Sequence, residues 1–145
     1  MGQYYLVVNL DKRQYLHPHD CLDGMKLMEF AGGNCGTMAC LAVLLADGNG
    51  RGGGDLDSDD PLIGSWAGDR IVVAGDYADD GKFLQGEFAG NLFHAAEDNY
   101  ENISLRAMTC VARDSYYRGI ILKEVKRSMG WSIGAKKLRD RIAAG

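Results

Sequence analysis

The sequence predicts an α+β fold: an N-terminal β-hairpin and a small mixed or antiparallel sheet around a buried helix at 37–46, followed by a helical C-terminal half. Three observations carry this prediction. β-branched and aromatic residues flank a polar turn near the N-terminus, a nearly all-apolar run of helix formers fills 37–46, and an apolar stripe at helical spacing marks 117–129. Strand signals precede helix signals, which favours α+β over an alternating α/β order.

Taken in order, residues 3–17 read as a hairpin turning at Asn9–Arg13. Residues 25–30, MKLMEF, are expected as a third strand, although six apolar-rich residues do not fix a period. The segment TMACLAVLLA is apolar on nearly every side, so it is expected as a buried helix that Gly48 terminates. Residues 47–61 hold six Gly or Pro and are expected as a long exposed loop. Loops of that length in compact domains are usually functional or disordered. Arg70–Gly75 is expected as an interior strand covered on both faces, Leu92–Asn102 and Ser104–Arg113 as helices, and Tyr116–Met129 as an amphipathic helix. A short helix through Ala144 follows. Neither a repeat nor a linker interrupts the 145 residues, so one domain is expected over 1–145.

Composition narrows the function classes. At 46% apolar and 25% charged, the chain is a globular domain large enough to bury a core without staples. Its net charge of −4 excludes a general nucleic-acid binder, so any basic partner surface is local. No run reaches the ~18 apolar residues of a membrane helix, and the opening Met1-Gly2-Gln3-Tyr4-Tyr5-Leu6 lacks a signal-peptide pattern. A cytosolic protein with no membrane partner is therefore the expectation. Cys21, Cys35, Cys40 and Cys110 are expected as reduced thiols, with Cys40 and Cys110 acting as small core hydrophobes.

The segments GQYYLVVNLDKRQYLHPH, DGMKLMEF, DGNGRGGGDL and GSWAGDRIVVAGDYAD together give the chain a recognisable pattern over residues 2–83. With its Gly-Gln-Tyr-Tyr hairpin and its Trp-x-Gly-Asp-Arg strand ending in Gly-Asp-Tyr-Ala, the chain resembles a widespread uncharacterised family of bacterial and phage proteins. The resemblance implies a bacterial or phage setting and brings no activity with it. An aromatic residue often stands in that family where this chain has Cys21, which weighs against a metal site that needs Cys21.

The most polarised window runs from Asp47 to Asp80. Asp47, Asp55, Asp57, Asp59, Asp60, Asp69, Asp76, Asp79 and Asp80 face only Arg51 and Arg70, a local balance of −7. Such crowding is relieved by a divalent cation such as calcium or magnesium, by a basic partner, or by water and salt. Neither register of the stretch is an EF-hand: from Asp47 the fifth and twelfth positions are Arg51 and Ser58, and from Asp55 the sixth is Asp60 where glycine is required. A less regular cation loop using Asp55, Asp57 and Asp59 stays open. Gly48-Asn49-Gly50-Arg51-Gly52-Gly53 matches G-x-G-x-x-G, yet no helix opens after it to hold a pyrophosphate.

Asp69 and Asp76 bracket the 70–75 strand. Their spacing separates them by about 23 Å on opposite faces, so one active site cannot use both directly. Either can instead cap a turn. His17, His19 and Cys21 share a face of an extended segment and offer zinc-compatible ligands, while their span of about 13 Å is too long for one ion unless the chain bends at Pro18. His94, Glu97 and Asp98 are helix neighbours suited either to a general base or to a solvated face. From Arg118 to Arg141 eight basic residues face two acids, leaving the chain electrically lopsided.

The reading these observations favour is a small binding or regulatory protein whose acidic, glycine-rich surface engages a cation or a basic partner. Asp55, Asp57, Asp59 and Asp76 are the candidate metal ligands; Arg51, Asp60, Trp66, Asp69, Asp79 and Asp80 are the candidate partner contacts. Protein partners or self-association are expected, and nucleic acid is disfavoured. One alternative is a metal-dependent phosphate-ester hydrolase with His94 as base. Another is a nucleic-acid-associated modulator using the basic C-terminal helix.

Overall fold

The computed structural model describes residues 2–33 and 35–145. Strand β1 (Tyr5–Asn9) turns into β2 (Gln14–Leu16) as an antiparallel hairpin. The turn closes because Asn9 Oδ1 accepts the backbone N–H groups of Asp11 and Lys12 at 2.9 and 2.8 Å, an Asx turn of the kind Asn favours. Strand β3 (Ile71–Gly75) pairs antiparallel with the other side of β1, and the short β4 (Glu101–Asn102) runs parallel to β2. The mixed sheet therefore has the order β3-β1-β2-β4.

Successive strand residues point to opposite faces, and both faces of β1 are covered. Leu6 and Val8 join Ala74, Leu92, Phe93 and Ala96 beneath helix α3 (Leu92–Asn99). Val7 and Leu16 join Phe30, Leu44, Trp66, Met108, Ile121 and Leu138 on the other side. That second core is built by α2 (Thr37–Leu45), α4 (Ser104–Ala112), α5 (Ser115–Ser128) and α6 (Ile133–Ala143), with α4 touching the other three. The architecture is α+β with a helical C-terminal half, as the sequence predicts.

Several elements differ from expectation. Residues 25–30 do not form a strand: Leu27–Phe30 is a helical turn, α1, in which only Phe30 is buried. Both edges of β1 are already occupied, and the Glu29 carboxylate accepts the Lys26 N–H at 3.0 Å, which closes the turn. The 70–75 strand is an edge, not an interior strand, and Val73 is exposed. A continuous apolar run does not by itself say whether a second neighbour strand exists. Helix 92–102 stops at Asn99, and residues 101–102 pair with β2 instead. Helix α2 is covered on one side only, with Ala42 and Leu45 exposed.

Helix α2 has no side-chain cap of its own, and Asp23 supplies one from outside. Its Oδ2 accepts both the N–H and the hydroxyl of Thr37 at 2.7 Å, and burial raises its carboxyl above the usual range. Gly36 makes room, because a Cβ there would run into the Asp23 carboxylate. All four thiols are free and buried. Cys40 Sγ lies 3.2 Å from Met108 Sδ; burial pushes Cys35 and Cys110 up to about 11, and contact with Cys21 together with burial raises Cys40 well above the ordinary thiol range.

His17 leaves β2 through a backbone N–H donated to Ser104 Oγ at 2.7 Å, while its buried Nδ1 finds no partner among the described residues. Burial opposes its charged form and holds it below the ordinary histidine range, with His19 adding to this and Asp20 and Glu97 opposing. The unfolded chain then binds the extra proton first as pH falls, so native stability declines below about pH 6.5. Thermal unfolding followed through that window is expected to show a falling midpoint, with a shallower fall in His17→Gln.

Candidate functional site: an acidic depression beside helix α2

The glycine-rich stretch follows a defined course because its own polar side chains satisfy its backbone. Asn49 stitches it together: Nδ2 donates to the carbonyls of Leu56 and Ser58 at 2.9 and 3.0 Å, and Oδ1 accepts the Leu56 N–H at 2.8 Å. Asp55 Oδ2 accepts the Arg51 N–H, and Asp60 Oδ1 accepts that of Leu62, each at 2.9 Å. Leu56 and Leu62 are sunk into the helical core. The loop is therefore a surface excursion with buried anchors.

Contacts at the ends of α5 and α2 fasten it to the helices. Asp114 is the N-cap of α5, taking the Tyr116 and Tyr117 N–H groups on Oδ1 at 2.9 and 3.4 Å and the Asp57 N–H on Oδ2 at 2.9 Å. These donors, Asp57 foremost, hold its carboxyl below the usual range. The segment after Pro61 lies over the end of α2, where the N–H groups of Gly64 and Trp66 satisfy the carbonyls of Val43 and Leu44, both at 2.9 Å. Gly64 is required there: its φ is +78°, and a Cβ would stand 2.5 Å from the Ala46 oxygen.

Just past the end of α2, between residues 46–50 and 58–67, lies a depression of about 510 Å³. Asp47, Asp59 and Asp60 line it beside Gly48, Gly50 and Gly64, with Asn49 and Ser58 adding polar groups. Asp60 is partly committed, its Oδ2 lying 3.4 Å from Arg113 Nε. Among the described residues, Asp47 and Asp59 are not engaged by any hydrogen bond or ion pair. They are the uncommitted carboxylates of this hollow.

The expected residues distribute unevenly around it. Asp55 and Asp57 belong to the loop without lining the hollow, and Arg51 is exposed beside them. Asp76 lies at the end of β3, where Oδ1 accepts the Tyr4 N–H at 2.9 Å. At the strand's other end Asp69 accepts from Asn9 Nδ2 at 2.9 Å and Lys12 Nζ at 2.6 Å, contacts that hold it below the usual carboxylate range. Asp79 lines a separate recess with Lys82 and Phe83, and Asp80 is exposed. Trp66, expected at the partner surface, is instead fully buried, its Nε1 donating to Gln14 Oε1 at 2.8 Å. A large aromatic ring between two loops was available to the core as readily as to a partner.

Among the described residues no group of three or more His, Cys, Asp or Glu side chains is placed to hold a metal ion. His94 sits exposed on α3 and does not line the hollow. The His17, His19 and Cys21 segment is not extended: Pro18–Cys21 forms a 3-10 turn, Cys21 is buried, and the His19 ring lies against Trp131 at 5.6 Å. No helix of the described residues is long and apolar enough to cross a membrane. In the basic tail Arg127 pairs with Glu124 at 2.6 Å, while Lys123, Lys126, Lys136 and Lys137 are exposed. The candidate residues named from the sequence omitted Asp47, Asn49 and Asp114. Asp114-Ser115 before the amphipathic α5 pattern is an N-cap signal that locates the last of them.

Comparison with family models, with curated proteins and with solved structures gives no match for this chain.

Asp114 caps a helix and tethers the loop at once, so Asp114→Ala is expected to lower stability by about 1–2 kcal/mol in denaturant unfolding. The same change should strip hydrogen-exchange protection from the Asp57 amide, and Asp114→Asn should retain most of both.

Proposed function

We propose that the chain is a binding or regulatory protein whose acidic depression receives a cationic side chain, lysine or arginine, from a protein partner. The observation that carries this reading is the pair Asp47 and Asp59: two carboxylates with unengaged oxygens in a hollow. Gly48, Gly50 and Gly64 project no side chain into it. Anionic groups held in a concavity focus the field toward a cation and orient its approach. A basic side chain is matched to two carboxylates and the neighbouring amide and hydroxyl oxygens of Asn49 and Ser58. A bare divalent ion asks for six or more oxygen ligands converging on one point.

Titration of the full chain with a Lys/Arg-rich peptide by calorimetry tests the reading. Saturable binding that weakens as salt rises is expected, with Asp47→Asn combined with Asp59→Asn weakening it by about tenfold or more. Calcium and magnesium titrations are expected to give no saturable heat. Peptide binding indifferent to the two substitutions, or none at all, overturns the proposal.

A further inference from the structure

Strand β3 leaves one long edge of the sheet open, the opposite edge being the two-residue β4. The direction of its backbone groups is fixed at both ends of the ladder: Leu10 N–H donates to the Arg70 oxygen at 3.0 Å and Asp76 N–H to the Tyr4 oxygen at 2.9 Å. Residues 70, 72, 74 and 76 therefore turn their N–H and C=O groups toward β1, and Ile71, Val73 and Gly75 turn theirs outward. Such a row is a template for another strand, and natural edges are commonly guarded by proline or lysine. Residues 70–76, RIVVAGD, contain neither. Exposed Val73 and Phe83 adjoin a small apolar recess along this edge.

We propose that this edge pairs antiparallel with the same edge of a second copy of the chain, about a two-fold axis at Val73. The register follows from the sequence. With Val73 opposite Val73 of the second copy, Ile71 meets Gly75 and Val72 meets Ala74, so the Val73 groups pair with each other and the Gly75 oxygen, which already accepts the Ala78 N–H at 3.2 Å, takes the Ile71 N–H of the second copy as a second donor. Arg70 then stands opposite Asp76 of the second copy, twice over by symmetry. Opposite charges facing across strands favour the pairing, and like charges oppose it. Parallel pairing in register would place Arg70 beside Arg70, and a two-residue slip would lose both Arg–Asp contacts. The groups retain capacity for this contact: Arg70 uses Nε and Nη2 on Asp11, leaving Nη1, and Asp76 uses Oδ1 on Tyr4, leaving Oδ2. This pairing is independent of the acidic hollow, which shares no lining residue with the β3 recess.

Sedimentation of the full chain over a concentration series at low salt, with amide hydrogen exchange on the same samples, tests the proposal. The mass is expected to rise toward the dimer, and the Val73 amide to gain protection in step. Asp76→Arg should raise the dissociation constant by about tenfold or more, and combining it with Arg70→Asp should restore association. Val73→Pro, which removes an outward N–H and no bond to β1, should abolish it; circular dichroism verifies that each variant is folded. A monomer at every concentration overturns the proposal, as does a dimer whose Val73 amide stays unprotected, an unweakened Asp76→Arg dimer, or a double variant no better than the single.

Discussion

Strand β1 must be dry on both sides at once, and the rest of the molecule is arranged around that demand. Leu6, Val7 and Val8 are fully buried although consecutive residues of a strand face opposite ways. Two separate apolar layers are therefore needed. Helix α3 and the segment around Leu84 supply one, and the α2, α4, α5 and α6 group supplies the other. Long irregular connections flank β3: the one before it keeps Leu56, Leu62 and Trp66 in the helical layer, the one after it places Leu84 in the other, and the chain returns after α3 through β4.

Those connections bring a second demand, that backbone groups without ladder partners be satisfied from side chains. Here the density of aspartate and asparagine acquires a structural meaning. Asp23 caps α2, Asp114 caps α5 and holds Asp57, Asn49 closes the glycine-rich turn, and Asp76 receives Tyr4. Between Asp47 and Asp80 the carboxylates of Asp55, Asp60, Asp69 and Asp76 are likewise engaged in accepting N–H groups. Among the described residues the carboxylates of Asp47, Asp57, Asp59, Asp79 and Asp80 are left outside any hydrogen bond or ion pair, and of these Asp47 and Asp59 line the hollow.

The fold class, the hairpin and the helices at 37–45, 115–128 and 133–143 were legible because each rests on local pattern: turn chemistry at Asn9, helical apolar spacing, and breakers at Gly48 and Gly130. The 25–30 segment and the neighbour count of β3 were not, since both depend on which sheet edges remain vacant, a property of the assembled sheet. The same limit governs the site. Charge crowding pointed to the right loop, and chain order could not say that Asp55 would turn onto Arg51, that Trp66 would go inward, or that Asp76 would lie against the N-terminal strand. Asp47 and Asp59 are distinguished from the other acids of the window by lining the hollow with their carboxylates unengaged, a property of the folded loop.

The sulfur chemistry of the second core has a corollary. Cys21, Cys35, Cys40 and Cys110 are screened from solvent, and at neutral pH the three with raised values are held as thiols, the less nucleophilic form. Cys21 and Cys35 line a surface pocket, whereas an alkylating reagent or peroxide reaches Cys40 and Cys110, on α2 and α4, only when these helices part from the layer beneath. The modification rate of Cys40 and Cys110 is then a clock for breathing of the helical half, and oxidation of these two thiols is paced by its motions before it is paced by the oxidant.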